Sequence, residues 1–134
     1  MNRSMNIGEA AKISGVNAKL IRHYESIGII PKALRTDSGY RIYSESDVNT
    51  LAFVRRARGL GFSMKEIKKL VSLWRNRSRT SHEVKTIALA HVGEMERKIS
   101  ELQEMVKTLK HLAKNCHGDQ RPDCPILDNL GKPE

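Results

Sequence analysis

The sequence predicts a mainly α fold: a winged helix-turn-helix, then one long helix that pairs in a coiled coil, then a short C-terminal loop between two cysteines. Three observations predict it. Two short helical patterns flank Gly15 and lead into turn chemistry at Thr36-Asp37-Ser38-Gly39. An apolar heptad runs unbroken from Ala88 to Ala113. The charge is unevenly spread along 134 residues of net charge +9: residues 1–80 carry 16 basic and 6 acidic side chains, residues 81–134 carry 8 and 9. A balance this basic makes a polyanion the first partner to consider.

The elements follow in order. Asn6 caps a helix to Ser14, with Ile7, Ala10, Ala11 and Ile13 on or near one face. Gly15-Val16-Asn17 breaks it, and a second helix runs from Ala18 to Ser26 with Leu20, Ile21 and Tyr24 inward. Gly28 to Pro31 ends that helix, and Leu34 to Tyr43 forms a hairpin, or wing, with basic and tyrosine side chains near its tip. Ser44 and Ser46-Asp47 cap a third helix to Leu60. Val48, Leu51, Ala52 and Val54 form its apolar side, and Arg55, Arg56 and Arg58 lie at its end. Ser63 to Glu66 is a capping box for a fourth helix to about Trp74, and Trp74 and Phe62 are expected in the core. The division is then residues 1–75 as the winged unit, 76–80 as a linker, 81–114 as the long helix and 115–134 as the terminal loop and a short helix.

In the long helix Ala88, Val92, Met95, Ile99, Leu102, Val106, Leu109 and Ala113 recur at alternating spacings of four and three. At 1.5 Å per residue the helix is about 50 Å long. The chain has no second helix of that length, so the simplest partner is another copy. His91 and His111 on this helix are expected at its surface.

Several classes are excluded. No stretch approaches the roughly 18–20 apolar residues of a membrane span, so no membrane partner is expected. Met1 to Asn6 has no apolar run behind it, so no signal peptide is expected and the chain is placed in the cytoplasm. Aromatic residues are 4%, too few for a single-strand stacking platform. No phosphate-binding loop, carboxylate pair or Ser/His/Asp arrangement stands out, so no enzyme is expected.

Lys19 and Arg22 on the second helix suit a major groove, while Arg35, Tyr40, Arg41 and Arg58 suit phosphates beside it. Cys116 and Cys124 bracket a loop containing Gly118 and Pro122. Two thiolates in one loop suit a soft ion of linear coordination, Cu(I), Ag(I) or Au(I); a disulfide and two idle thiols are the other readings of the same pair.

Three runs resemble the MerR family of bacterial transcription regulators: Met5-Asn6-Ile7-Gly8-Glu9-Ala10-Ala11, Leu20-Ile21-Arg22-His23-Tyr24-Glu25-Ser26-Ile27-Gly28-Ile29-Ile30 and Arg35-Thr36-Asp37-Ser38-Gly39-Tyr40-Arg41-Ile42-Tyr43. The tail Cys116-x7-Cys124-Pro125-Ile126 is similar to the CueR-type subgroup, which senses monovalent coinage metals. Trp74 and the run from Pro122 to Leu127 look closer to its gold-responsive, GolS-like and CupR-like, members. The resemblance implies an antiparallel homodimer on double-stranded promoter DNA whose spacer is too long for RNA polymerase, and activation by DNA distortion when metal binds. It implies that Cys116 and Cys124 are the thiolate ligands of one Au(I), Cu(I) or Ag(I) per loop. Ser81 stands where divalent-metal members carry a cysteine, and Lys19, Arg22, Arg35, Tyr40, Arg41 and Arg58 stand at DNA-contacting positions. The resemblance assigns no role to His117 or Arg121. A thiol-redox sensor on the same scaffold is the alternative.

Overall fold

A computed structural model describes residues 4–133. Met1 to Arg3, part of the stretch read for a signal peptide, lie outside the described residues. The order is α1 Ile7–Ser14, α2 Ala18–Ser26, β1 Leu34–Arg35, β2 Arg41–Ile42, α3 Glu45–Gly59, α4 Met64–Arg75, α5 Ser81–Lys114 and α6 Pro125–Leu130. The chain divides into two compact units, Met1–Val84 and Lys85–Glu134.

Local chemistry sets the helix starts of the first unit. Asn6, Ser44 and Ser63 each accept from the third backbone N–H of their helix, and Glu9, Asp47 and Glu66 reach back to complete capping boxes. Asn17 caps α2 the same way. Gly15 ends α1 in the left-handed region at φ 77°, which glycine adopts without a Cβ penalty. α1 packs on α2 and α3, and α3 packs on α4. The core between them holds Ala10, Val16, Ile21, Tyr24, Ile29, Ile30, Tyr43, Val48, Leu51, Val54 and Ile67.

β1 and β2 pair antiparallel, Leu34 opposite Ile42 and Arg35 opposite Arg41, which is the expected wing. Tyr43 continues beyond it and exchanges two backbone hydrogen bonds of 2.8 Å with Met5. The chain before α1 is thereby tied to the wing.

Several burial expectations change. Ile13 is 58% exposed, and Ser14 takes the inward position, because the packed face of α1 runs through Ala10 and its i+4 neighbour. Ser14 Oγ is used there as an acceptor for the Val16 N–H at 3.1 Å. On α3 the buried face is Val48, Leu51, Val54 and Ala57 with Thr50, which turns Ala52 to solvent. Thr50 Oγ1 donates to the Ser46 carbonyl and accepts from Arg75 at the end of α4. Trp74 is 44% exposed rather than core. One face of its ring stacks on Phe53, with centroids 4.6 Å apart and planes 12° from parallel, and Phe62 is half-buried.

The second unit carries most of α5, then the terminal loop and α6. The seam side chains Val92, Met95, Ile99, Leu102, Val106 and Leu109 are each between 43% and 58% exposed in the single chain. His91, expected at the surface, is buried; it flanks the seam one turn from Ala88 and from Met95. No described helix is long and apolar enough to cross a membrane.

Candidate nucleic-acid interface and thiol pair

α2 presents Lys19 and Arg22 as exposed side chains on a helix whose other face carries Ile21 and Tyr24 into the core. Beside it stands the wing. The Thr36 N–H donates to the Tyr40 carbonyl at 2.8 Å, and Thr36 Oγ1 accepts from the Tyr40 N–H at 3.1 Å. Arg35 Nη1 donates to the Gly39 carbonyl at 2.7 Å, so this side chain braces the turn it precedes. Gly39 supplies the turn at φ 87°. Tyr40 is exposed at the tip.

Arg22, Arg35, Tyr40 and Arg41 line one cleft of about 260 Å³ with Asn6, Ile7 and Gly39. Four of the six residues read as DNA contacts, three of them arginines, thus line one cleft beside the N-terminus of α1. An anion is the ligand such a cleft suits by charge. Arg58 stands apart, in a second cleft of about 260 Å³ with Gly15, Val16, Asn17, Leu20, Tyr24 and Arg55. Its Nη1 donates to the Tyr24 hydroxyl at 2.8 Å. Lys19 lines neither of these clefts.

The sequence reading missed Arg55, whose guanidinium lies over Gly15; a Cβ on that glycine would sit 2.8 Å from Arg55 Nη1. It also missed Glu25. Its carboxylate accepts from the Ala33 N–H at 2.9 Å and the Tyr43 hydroxyl at 3.1 Å, and it faces Arg41 Nε at 3.5 Å. Burial, reinforced by the Glu25 charge and hydrogen bond, pushes the Tyr43 phenol up to about 12. The one available signal was Glu25 inside the quoted Tyr24-Glu25 run, which says nothing of its partners.

Cys116 and Cys124 are free and half-buried. Cys116 follows α5, its N–H donating to the Ala113 carbonyl at 3.2 Å, and Cys124 is the N-cap residue of α6 ahead of Pro125. Between them Gly118 turns the chain at φ 65°. Asp119 and Arg121 close a small clasp: the Arg121 N–H reaches Oδ1 at 3.0 Å, and Nε and Nη2 reach Oδ2 at 2.8 Å and 2.7 Å. The Arg121 hydrogen bonds hold the Asp119 carboxyl below the usual carboxylate range. His117 is exposed. No group of three or more His, Cys, Asp or Glu side chains converges among the described residues. Ser81 is exposed at the first residue of α5, and Cys116 follows its last turn.

Residues 5–73 match the MerR HTH family of regulatory proteins, and residues 48–112 match the MerR DNA-binding family. The chain is 63% identical over 126 residues to heavy metal-dependent transcription regulator 2 of Rhizobium meliloti (strain 1021), covering 94% of this chain and 86% of that one. It is 45% identical over 126 residues to the HTH-type transcriptional regulator CueR of Salmonella typhimurium, covering 94% and 91%. The crystal structure of the transcription regulator PbrR691 from Ralstonia metallidurans CH34, in complex with lead(II), matches with a TM-score of 0.83 at 30% identity, covering 94% of this chain and 98% of that one. These relatives are regulators rather than enzymes. With its winged unit matched by the family and its length aligned almost end to end with such relatives, this chain belongs to the MerR family of helix-turn-helix transcription regulators.

Proposed function

We propose that the protein is a metal-responsive transcription regulator whose effector is one soft monovalent ion per loop, Au(I), Cu(I) or Ag(I), held by Cys116 and Cys124. The observation that carries this reading is the thiol pair. The chain's only two cysteines are free, half-buried and set at the two ends of one loop. Thiolates select soft ions, and a structural zinc site asks for about four ligands. Two thiolates with no further cysteine in the sequence suit linear two-coordination. When bound, the ion ties the two ends of the loop together.

The chain's other residues divide the remaining work. Residues 1–75 bind the promoter, 76–80 link, 81–114 dimerise and 115–134 carry the effector loop. Arg22, Arg35, Tyr40 and Arg41 hold backbone phosphate in their shared cleft, Lys19 enters the groove, and Arg58 is set by Tyr24 for a further phosphate. The exposed seam of α5 pairs with a second copy in antiparallel order. That order brings the Ser81 of one subunit toward the thiol loop of the other. Ser81 there withholds a third thiolate and so disfavours divalent ions. The homodimer grips one duplex at two points and so sets its bend and twist. Deforming an overlong spacer costs energy, and the ion acts by favouring the conformation that realigns the promoter for RNA polymerase. The site of action is the cytoplasm.

Reconstituted transcription over a buffered series of metals and oxidants tests this. The expected result is activation by at least one of Cu(I), Ag(I) and Au(I), with none by Zn(II) or peroxide. Activation by peroxide alone would overturn the metal reading in favour of a thiol-redox sensor.

A further inference from the structure

Glu25 joins α2 to the wing through three partners. It lies in the last turn of α2 with its side chain 8% exposed. A carboxylate buried to that extent is costly unless several donors meet it. Here two hydrogen-bond donors and one cation meet it, from three points in or beside the wing. Ala33 precedes β1, Arg41 lies in β2 and Tyr43 follows it. The pairing of β1 with β2 is only two residues long, and a hairpin that short has little stability of its own. Its placement beside α2 therefore rests on such ties.

The contact with Arg41 differs from the other two. Arg41 Nε is buried and faces Glu25 Oε2 at 3.5 Å, as an ion pair rather than a hydrogen bond, while about a third of the side chain (34%) stays exposed. A guanidinium is a rigid plane in which Nε shares one edge with one Nη group and the two Nη groups share the outer end. With Nε turned to Glu25, the Nη donors are those left for the cleft that Arg41 shares with Arg22 and Arg35.

We infer that Glu25 is a positioning residue of the DNA interface, acting through Arg41: its buried carboxylate orients the guanidinium so that the outer nitrogens meet a backbone phosphate. The inference rests on the proposed phosphate role of Arg41. Glu25 carries negative charge beside a surface that meets a polyanion, so simple charge counting expects its removal to strengthen binding. Positioning expects the opposite.

The test uses the full-length protein and a duplex selected from a random-sequence library by the wild type, with affinity measured over a range of salt. Arg41→Gln should weaken binding about tenfold and reduce the log–log salt slope by about one per subunit, since each phosphate contact contributes roughly 0.9. Glu25→Gln keeps an acceptor for the Ala33 N–H and should show the same loss and the same fall in slope. The double variant should bind no more weakly than either single, because both remove one contact. Arg41→Lys should be as weak as Arg41→Gln, since one ammonium cannot face the carboxylate and the phosphate together. If Glu25→Gln fails to fold, Arg41→Lys decides: a fall to the Arg41→Gln level supports the inference, and wild-type affinity and slope overturn it. Failure of the wild type to select any duplex would sink the DNA reading and this inference with it. Arg41→Gln at wild-type affinity would remove the phosphate role of Arg41 and hence its positioning. A weak Arg41→Gln beside a Glu25→Gln that binds as well as or better than wild type, or losses that multiply in the double variant, would overturn the role of Glu25 alone.

Discussion

At Gly15 the chain turns from α1 into α2 at φ 77°, and the side of the turn where a Cβ would stand is covered by the Arg55 guanidinium. Gly15→Ala therefore carries backbone strain and displaces a long, flexible side chain. It should destabilise the first unit by about 1–2 kcal/mol, read by urea unfolding, with Gly15→Asn milder because Asn tolerates the left-handed region. Tyr43 offers a second residue-scale measurement. Its phenol is raised from 10.0 to about 12 by burial and by Glu25. The native state then holds its proton more tightly than the unfolded state does. The stability this contributes is full below pH 10 and is lost as pH rises through about 12. Wild type should lose stability across that window relative to Tyr43→Phe in denaturation measured at each pH; equal losses in the two proteins would contradict the burial of the phenol against Glu25.

The elements of the first unit were legible because their signals are local. Each capping residue lies within three positions of the N–H it accepts from, and Gly15 ends α1 by its own backbone preference. Single-residue burial was less legible. Ile13 and Ala52 carry the right hydropathy at the wrong angle, and Ser14 and Thr50 are inside because hydrogen bonds satisfy them there. α5 is the clearest case of a local pattern with a non-local meaning. Its heptad predicted the helix and the exposed apolar stripe that a lone chain leaves, while the polar stretch ahead of it marked its start. Ile99→Asp should place a charge in the middle of that seam in both subunits. The expected cost to association is about 3–5 kcal/mol per dimer, from burial lost in two copies, seen as a monomer by sedimentation and as reduced helicity by circular dichroism. An unchanged sedimentation coefficient would rule out the seam as the dimer contact.

For the molecule as a whole, the proposed division of labour makes sensing and DNA binding separable. Cys116→Ser and Cys124→Ser should each abolish metal induction, at least tenfold in reconstituted transcription, and leave promoter affinity within about twofold; loss of DNA binding would show that the loop and the winged unit do not act separately. Ser81→Cys should extend the response to Hg(II) or Zn(II), because under the proposed antiparallel pairing it adds a thiolate to the two in the partner's loop. An unchanged metal profile, read in the same assay, would argue against Ser81 as the selectivity position.

What the sequence determined by itself was the order of elements, their caps, the long helix and the location of charge and thiols, since each depends on residues within a few positions of one another. Only the tertiary structure decided which side chains meet. It gathered Arg22, Arg35, Tyr40 and Arg41 into one cleft and set Arg58 in another. It gave Glu25 three partners drawn from three points of the wing, and it left Trp74 half-covered by a single ring. The physical reason is distance along the chain. A cap or a heptad is written in consecutive residues, whereas a buried carboxylate takes whichever donors the packing of separate elements brings to it.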